Sequence, residues 1–179
     1  MTTLGPVTEP HHFDEARLAN YLADQGFDDF QRDLKVLQYQ GGQSNPTYRL
    51  EAGGRYYVLR KKPPGDLLPS AHLVEREYRV MKALYDTDVP VPQVLHLCRD
   101  EDVIEQTFFL MEHVNGYVPT GPGLPEVSSC KERGIIYDAM NDALARLHSI
   151  DWEAVGLTDY GKPADYVARQ VARWTQQYE

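Results

Sequence analysis

The stretch from Leu34 to Arg60 reads LKVLQYQGGQSNPTYRLEAGGRYYVLR. It holds three short runs, Leu34 to Gln40, Thr47 to Ala52 and Arg55 to Arg60, each with tyrosine or a β-branched residue and each set off by a glycine pair. Such side chains suit a pleated, half-buried surface, so the runs predict strands. Gly53-Gly54 leaves only two residues between the second and third runs. A primed hairpin turn needs positive φ at its centre, which glycine adopts without steric cost, so an antiparallel hairpin is predicted here.

Upstream, Asp14 to Gln25 places Leu18 and Leu22 at helical spacing, with Asp14 as cap and Gly26 as the closing residue. Downstream, Pro63, Pro64, Gly65 and Pro69 make Lys61 to Ser70 a loop. A helical period returns over Ala71 to Tyr85 through Leu73, Val80, Met81 and Leu84. Val89-Pro-Val-Pro is then extended, and Val94 to Cys98 and Thr107 to Glu112 read as two more strands around a charged turn at Arg99 to Asp102. The expected fold class is α+β, a five-stranded antiparallel sheet with one inserted helix.

Beyond Val114 the composition shifts to Gly116, Pro119, Gly121, Pro122, Gly123 and Pro125, the mark of a connection. A helix over Glu132 to Ile150 follows, with Ile135, Ile136, Ala139, Met140, Ala143, Leu144 and Leu147 on one side, and a further helical stretch covers Ala164 to Tyr178. The chain divides accordingly into a sheet-bearing lobe (1–113), a connection (114–131) and the start of a helical part (132–179).

With 42% hydrophobic and 25% charged residues in 179, the composition is that of a globular protein. Acidic residues outnumber basic ones 27 to 18, a formal charge of -9, so phosphate backbones and anionic membranes are not expected partners. Cys98 and Cys130 have neither the spacing nor the histidine neighbours of a zinc site. Met1 to Pro10 lacks the basic and apolar regions of a signal peptide, and nowhere do eighteen apolar residues run together. A cytoplasmic protein is expected.

Three segments carry candidate chemistry. Gly41-Gly42-Gln43-Ser44-Asn45 lies between the first two strands, where small residues let the backbone approach a phosphate and amides and hydroxyls can donate to it. An ordinary hairpin connection has the same composition, and the segment matches neither the P-loop nor the protein-kinase glycine pattern. Arg60, Lys61 and Lys62 end the third strand and precede a helix with Glu75 and Glu77. Strand alternation lets Arg60 and Lys62 point together with Lys61 opposed, but both faces of the strand are apolar enough that periodicity does not choose between them. Phe108 to Gly116 is a strand that leaves the sheet at the connection, where unpaired backbone groups can meet a planar base.

Together, in this order, the segments resemble the small-molecule kinases of the aminoglycoside phosphotransferase family. Val74-Glu-Arg-Glu77, Val89-Pro-Val-Pro-Gln-Val-Leu-His96, Leu110-Met-Glu-His-Val-Asn-Gly116 and Leu147-His-Ser-Ile-Asp151 carry the resemblance, which covers Leu34 to Asp151. Gly156-Leu-Thr-Asp-Tyr-Gly-Lys-Pro, with Arg169-Gln and Arg173-Trp, is further similar to the branch fused to some acyl-CoA dehydrogenases. The resemblance implies a protein-kinase-like N-terminal lobe followed by the first helices of a helical lobe. It places Gly42, Gln43, Ser44 and Asn45 over the phosphates of ATP, Arg60 at the position of the phosphate-holding lysine, and Glu77 as the glutamate that orients it. Met111 would back the adenine, with the Glu112 carbonyl and the Val114 amide as its hydrogen-bond partners. Arginine in place of lysine exchanges a point charge for a planar fork, so Lys62 remains a second phosphate contact. His148, at a helix end, is a base by temptation and a cap by position.

The family's His-Gly-Asp-x-x-x-x-Asn segment, which accepts the substrate proton and helps hold Mg2+, is not found. The sole His-x-Asp, His12-Phe-Asp14, lies upstream of the glycine loop and has Ala19 at the asparagine offset. The expectation is therefore a fragment, inactive alone, whose metal ligands lie in a missing C-terminal part. Its partners would be ATP and a small-molecule hydroxyl substrate, either a hydroxy acid or its CoA ester or something aminoglycoside-like. A non-catalytic nucleotide-binding or interaction module is the alternative. The apolar helices predict either self-association or disorder beyond the connection.

Overall fold

The structure is a computed structural model, and it describes residues 3–40, 45–65, 73–116, 118–119, 121–161 and 164–178. Its centre is a six-stranded, wholly antiparallel sheet in the order β1-β2-β3-β4-β6-β5. The strands are β1 (Leu4–Gly5), β2 (Lys35–Tyr39), β3 (Thr47–Ala52), β4 (Arg55–Lys61), β5 (Val94–Cys98) and β6 (Phe108–Glu112). The expected five strands are β2 to β6. The sixth, β1, corrects that count: it is two residues long, pairs Leu4 with Tyr39 and Gly5 with Gln38, and is too short to carry an alternating pattern.

The β3–β4 hairpin forms as its glycines predict. Gly53 and Gly54 have φ of 56° and 78°, which fixes the register so that Ala52 faces Arg55 and, five pairs further on, Thr47 faces Arg60. A methyl group on Gly53 would sit 2.6 Å from Asp29 Oδ1, and Asp29 also accepts the Tyr57 hydroxyl and pairs with Arg55 at 3.5 Å.

One face of the sheet is the core. Tyr48, Leu50, Tyr57, Leu59, Phe108 and Leu110 alternate onto it and are buried against Leu18 and Leu22 of α1 (Glu15–Asp24), Phe30, and Val103 and Ile104. Asp14 caps α1 by accepting from the Arg17 amide at 2.9 Å, and Gly26 follows its end at φ 90°. The expected charged turn is a one-turn helix, α3 (Glu101–Ile104), because the Asp100 carboxylate accepts from the Asp102 amide at 3.0 Å and Val103 and Ile104 then turn inward.

Across the opposite face runs α2 (Val74–Leu84), which lies against β5 and β6 and sets Tyr78 edge-on to Phe109, with ring centroids 6.1 Å apart. The predicted start at Ala71 lies outside the described residues. Further along, α4 (Cys130–His148) is capped by Ser129, whose hydroxyl accepts from the Glu132 amide, and so begins two residues before the predicted Glu132. The last helix is α5 (Tyr166–Tyr178). Neither α4 nor α5 has a buried residue, and Ile135, Met140, Leu144, Val171 and Trp174 are exposed. Among the described residues, no helix is long and apolar enough to cross a membrane.

Burial governs the titration of two histidines against the core. Desolvation holds His11 below the ordinary histidine value, with Lys61 adding repulsion, and desolvation alone does the same to His96, whose Nε2 is 2.9 Å from the Tyr21 hydroxyl. The unfolded chain binds protons at both near pH ~6.5 while the folded chain resists them, so their stabilisation is complete above that value and lost as pH falls through the folded pKa values. The urea midpoint of the native chain is therefore expected to be lower at pH 5.5 than at pH 7.5, and His11→Gln/His96→Gln to reduce the difference. An equal difference in the double variant would refute this origin.

Candidate functional site

Strand alternation separates the three cations at the end of β4. Lys61 points into the core side, where it is 2% exposed and its Nζ lies 5.0 Å from the centroid of the Phe13 ring, and desolvation lowers its pKa. Arg60 and Lys62 emerge on the α2 side. Packing thus makes the choice that periodicity leaves open. The apolar partners of Tyr57 and Leu59 come from α1 and the Phe30 turn, which fill the Lys61 face and leave the other to the cations.

The first turn of α2 brings two carboxylates to these cations. Lys62 Nζ donates to Glu75 Oε1 at 2.6 Å, and Arg60 Nε lies 2.6 Å from Glu77 Oε2. The second contact is an ion pair by distance, but its N–H is not aimed at an acceptor, and Glu75 Oε2 is likewise buried without a hydrogen-bond partner. Glu77 also accepts from Asn45 Nδ2 at 2.7 Å, and Arg60 Nη1 donates to Thr47 Oγ1 at 3.0 Å, which in turn donates to the Asn45 carbonyl at 3.2 Å. Asn45, Thr47, Arg60 and Glu77 therefore form one network joining the β2–β3 loop, two strands and a helix.

This network leaves capacity for a ligand. A guanidinium has five N–H donors and an ammonium three, and the contacts above use only part of each. The side chains of Arg60, Lys62, Glu75 and Glu77 are 28%, 17%, 25% and 37% exposed, so the group opens to solvent on one side. In that setting the ion pairs fix direction more than they add stability.

The other candidates lie along the same face or at its end. Met111 stands opposite Val58 in the β4–β6 ladder, half-buried on the α2 side. The Glu112 side chain is exposed and turns to β5, where it accepts from the Gln93 amide at 2.8 Å, and Val114 is 63% exposed just past β6. Gly42, Gln43 and Ser44 lie outside the described residues. His148 is exposed in the last turn of α4. A separate hollow of about 500 Å3, lined in part by Asp86, Thr87, Asp88, Arg146 and Ser149, sits between the end of α2 and the end of α4, away from the cations. Among the described residues no cluster of three or more His, Cys, Asp or Glu side chains is arranged to hold a metal.

Two features go beyond the sequence reading. Thr47 shares the site because a two-residue turn at 53–54 puts it opposite Arg60, a register that the hairpin signal already contained. Both glutamates are used, one for each cation, whereas sequence favoured Glu77 alone.

The phosphotransferase enzyme family model matches residues 35–179 of this chain. Acyl-CoA dehydrogenase family member 10 of Mus musculus is 50% identical over 145 residues, covering 81% of this chain and 14% of that protein. Acyl-CoA dehydrogenase family member 11 is 46% identical over 176 residues in Gallus gallus, covering 97% of this chain and 22% of that protein. The Homo sapiens protein of the same name is 43% identical over 179 residues, covering 98% and 23%. Among solved structures, a provisionally assigned aminoglycoside phosphotransferase of Ralstonia eutropha superposes with a TM-score of 0.73 at 46% identity, over 93% of this chain and 47% of that one. The chain thus spans less than a quarter of these curated relatives and about half of the solved neighbour. With its kinase-like α+β fold, it belongs to the aminoglycoside phosphotransferase-type phosphotransferase enzyme family.

Proposed function

We propose that this chain is the nucleotide-holding part of an ATP-dependent phosphotransferase that acts on a hydroxyl of a small molecule. The observation that carries the reading is the Arg60–Glu77 pair, tied to Asn45 and Thr47 on the α2 face of the sheet. Arg60 presents its remaining N–H groups to phosphate oxygens while its hydrogen bond to Thr47 orients the fork and Glu77 balances its charge, and Lys62, steadied by Glu75, supplies a second positive charge. The family reading assigns Gly42, Gln43 and Ser44, which lie outside the described residues, as further phosphate contacts. Met111 offers an apolar surface to the adenine, with the Glu112 carbonyl and the Val114 amide at its edge. When bound, ATP would supply the phosphoryl group to be transferred, and Mg2+ would offset the phosphate charge in that step. The dehydrogenase names of the relatives favour a hydroxy acid or its CoA ester as acceptor over an aminoglycoside. In this reading 1–113 is the nucleotide lobe, 114–131 the connection and 132–179 the start of the helical lobe, in a cytoplasmic protein.

Charge-assisted hydrogen bonds are worth about 1.5–3 kcal/mol, so Arg60→Met is expected to weaken ATP binding by roughly tenfold or more while leaving adenosine unchanged. Chemical-shift titration of both ligands measures this, and equal loss for the two would remove Arg60 from the phosphate site.

No His-Gly-Asp-x-x-x-x-Asn segment occurs within the 179 residues. We therefore propose that this chain alone transfers no phosphoryl group. Magnesium-dependent turnover of ATP with any hydroxyl acceptor by the purified chain would overturn that. The exposed apolar residues of α4 and α5 are expected either to drive self-association or to leave the chain beyond the connection disordered, since large exposed apolar surfaces seldom stay wet. Light scattering that shows a concentration-independent monomer, with α4 and α5 as protected from hydrogen exchange as the sheet, would contradict it.

A further inference from the structure

The segment Gly156 to Tyr160 has no part in the site as described, yet it grips the helix that supplies both site carboxylates. On α2 the sheet side is marked by Val74, Glu77, Tyr78 and Leu84, and at 3.6 residues per turn Arg76 and Arg79 fall on the far side. Both arginines reach the same short segment. Arg79 makes a two-pronged contact with the Asp159 carboxylate, with Nη1 at 3.2 Å from Oδ2 and Nη2 donating to Oδ1, and Nη2 also donates to the Gly156 carbonyl at 3.1 Å. Arg76 donates to the Tyr160 carbonyl at 2.8 Å and stacks over the Tyr160 ring, 4.0 Å from its centroid.

The segment receiving these contacts is itself built. The Asp151 carboxylate accepts from the amides of Glu153 and Ala154 at 3.0 and 3.1 Å, and the Leu157 amide returns to the Trp152 carbonyl at 2.9 Å. Gly156 turns at φ 76°, and Leu157 is buried. A single exposed ion pair would hold little. Here two arginines one turn apart engage three residues of a braced loop, Gly156, Asp159 and Tyr160, through a bidentate carboxylate, two carbonyls and a stacked ring, which together fix both the rotation and the height of the helix.

We propose that Gly156–Tyr160 is a clasp that positions α2, with Arg76, Arg79, Asp159 and Tyr160 as positioning residues that keep Glu75 and Glu77 in register with Lys62 and Arg60. The inference deepens the nucleotide reading and rests on it for its effect on ligand, though not for its effect on the helix. The clasp holds the outer side of α2 and the cations the inner side, so freeing one side lets the carboxylates drift from the phosphate-binding fork.

The test uses the full 179-residue chain as Arg79→Gln, Arg79→Glu, Asp159→Arg and the exchanged pair Arg79→Glu/Asp159→Arg. Hydrogen exchange across Val74–Leu84 is expected to quicken in the single variants while β3 and β4 stay protected, and to slow again in the exchanged pair. ATP binding is expected to fall by at least about fivefold, the low end of couplings between linked sites, with adenosine binding unchanged, and the exchanged pair is expected to restore part of it. A merely structural role would weaken both ligands together. Unchanged exchange in α2 for the mild Arg79→Gln variant, or failure of the exchanged pair to restore any of it, would overturn the clasp; full recovery is not expected, because the exchange returns the ion pair without the donor to the Gly156 carbonyl. Failure of the unmodified chain to bind ATP would instead overturn the nucleotide reading, and the exchange measurement would then decide the clasp alone.

Discussion

A two-residue turn at Gly53-Gly54 sets the position of nearly everything that follows in β4. Because the turn admits only two residues, Thr47 must face Arg60 and Tyr48 must face Leu59, and strand alternation then assigns every side chain to a face. A slip by one residue would place Lys61 beside α2 and turn Arg60 and Lys62 into the aromatic core. Core packing makes that slip costly, since Tyr57 and Leu59 would lose Phe30 and α1 together. The glycine is confined as well as permissive, because Asp29 closes over Gly53 while holding Tyr57 and Arg55.

Given that register, the site is a matter of charge compensation. A chain with nine excess negative charges keeps two partly buried cations on the α2 side by pairing each with its own glutamate, and neither cation has all of its N–H donors used by these contacts. Arginine serves this arrangement in a way that lysine does not. The guanidinium stands beside the Glu77 carboxylate, and one of its terminal nitrogens donates to Thr47, so a single side chain touches both the helix and the neighbouring strand.

Much of this was legible in the chain because the signals are local. Turn glycines, β-rich runs, the Asp14 cap and the period of α2 each depend on residues close in sequence, and the family resemblance adds the order in which they occur. The face chosen by Arg60 was not legible, because Tyr57 and Val58 are both apolar and only the helix packed behind them decides. The strand Leu4–Gly5 escaped because its pairing depends on Tyr39 and Gln38, more than thirty residues away. The grip of Arg76 and Arg79 on Gly156–Tyr160 escaped for the same reason, since the partners are about eighty residues apart and exposed charges carry no periodic mark. The kinase-like fold and the family were anticipated, and the acyl-CoA dehydrogenase names of the relatives agree with the branch suggested by the last residues.

Every member of the main apolar cluster, from Leu18 to Leu110, lies in the first two-thirds of the chain, and none comes from α4 or α5. During synthesis this gives the sheet a head start. Chains grow at roughly 5–20 residues per second, so β6, the last strand to be made, is complete seconds before the last residue of α4 is added. All the residues of the sheet and of the cation face are thus present while the downstream helices are still being made. The order of translation thereby separates the assembly of the strands from the later docking of Gly156–Tyr160 on α2.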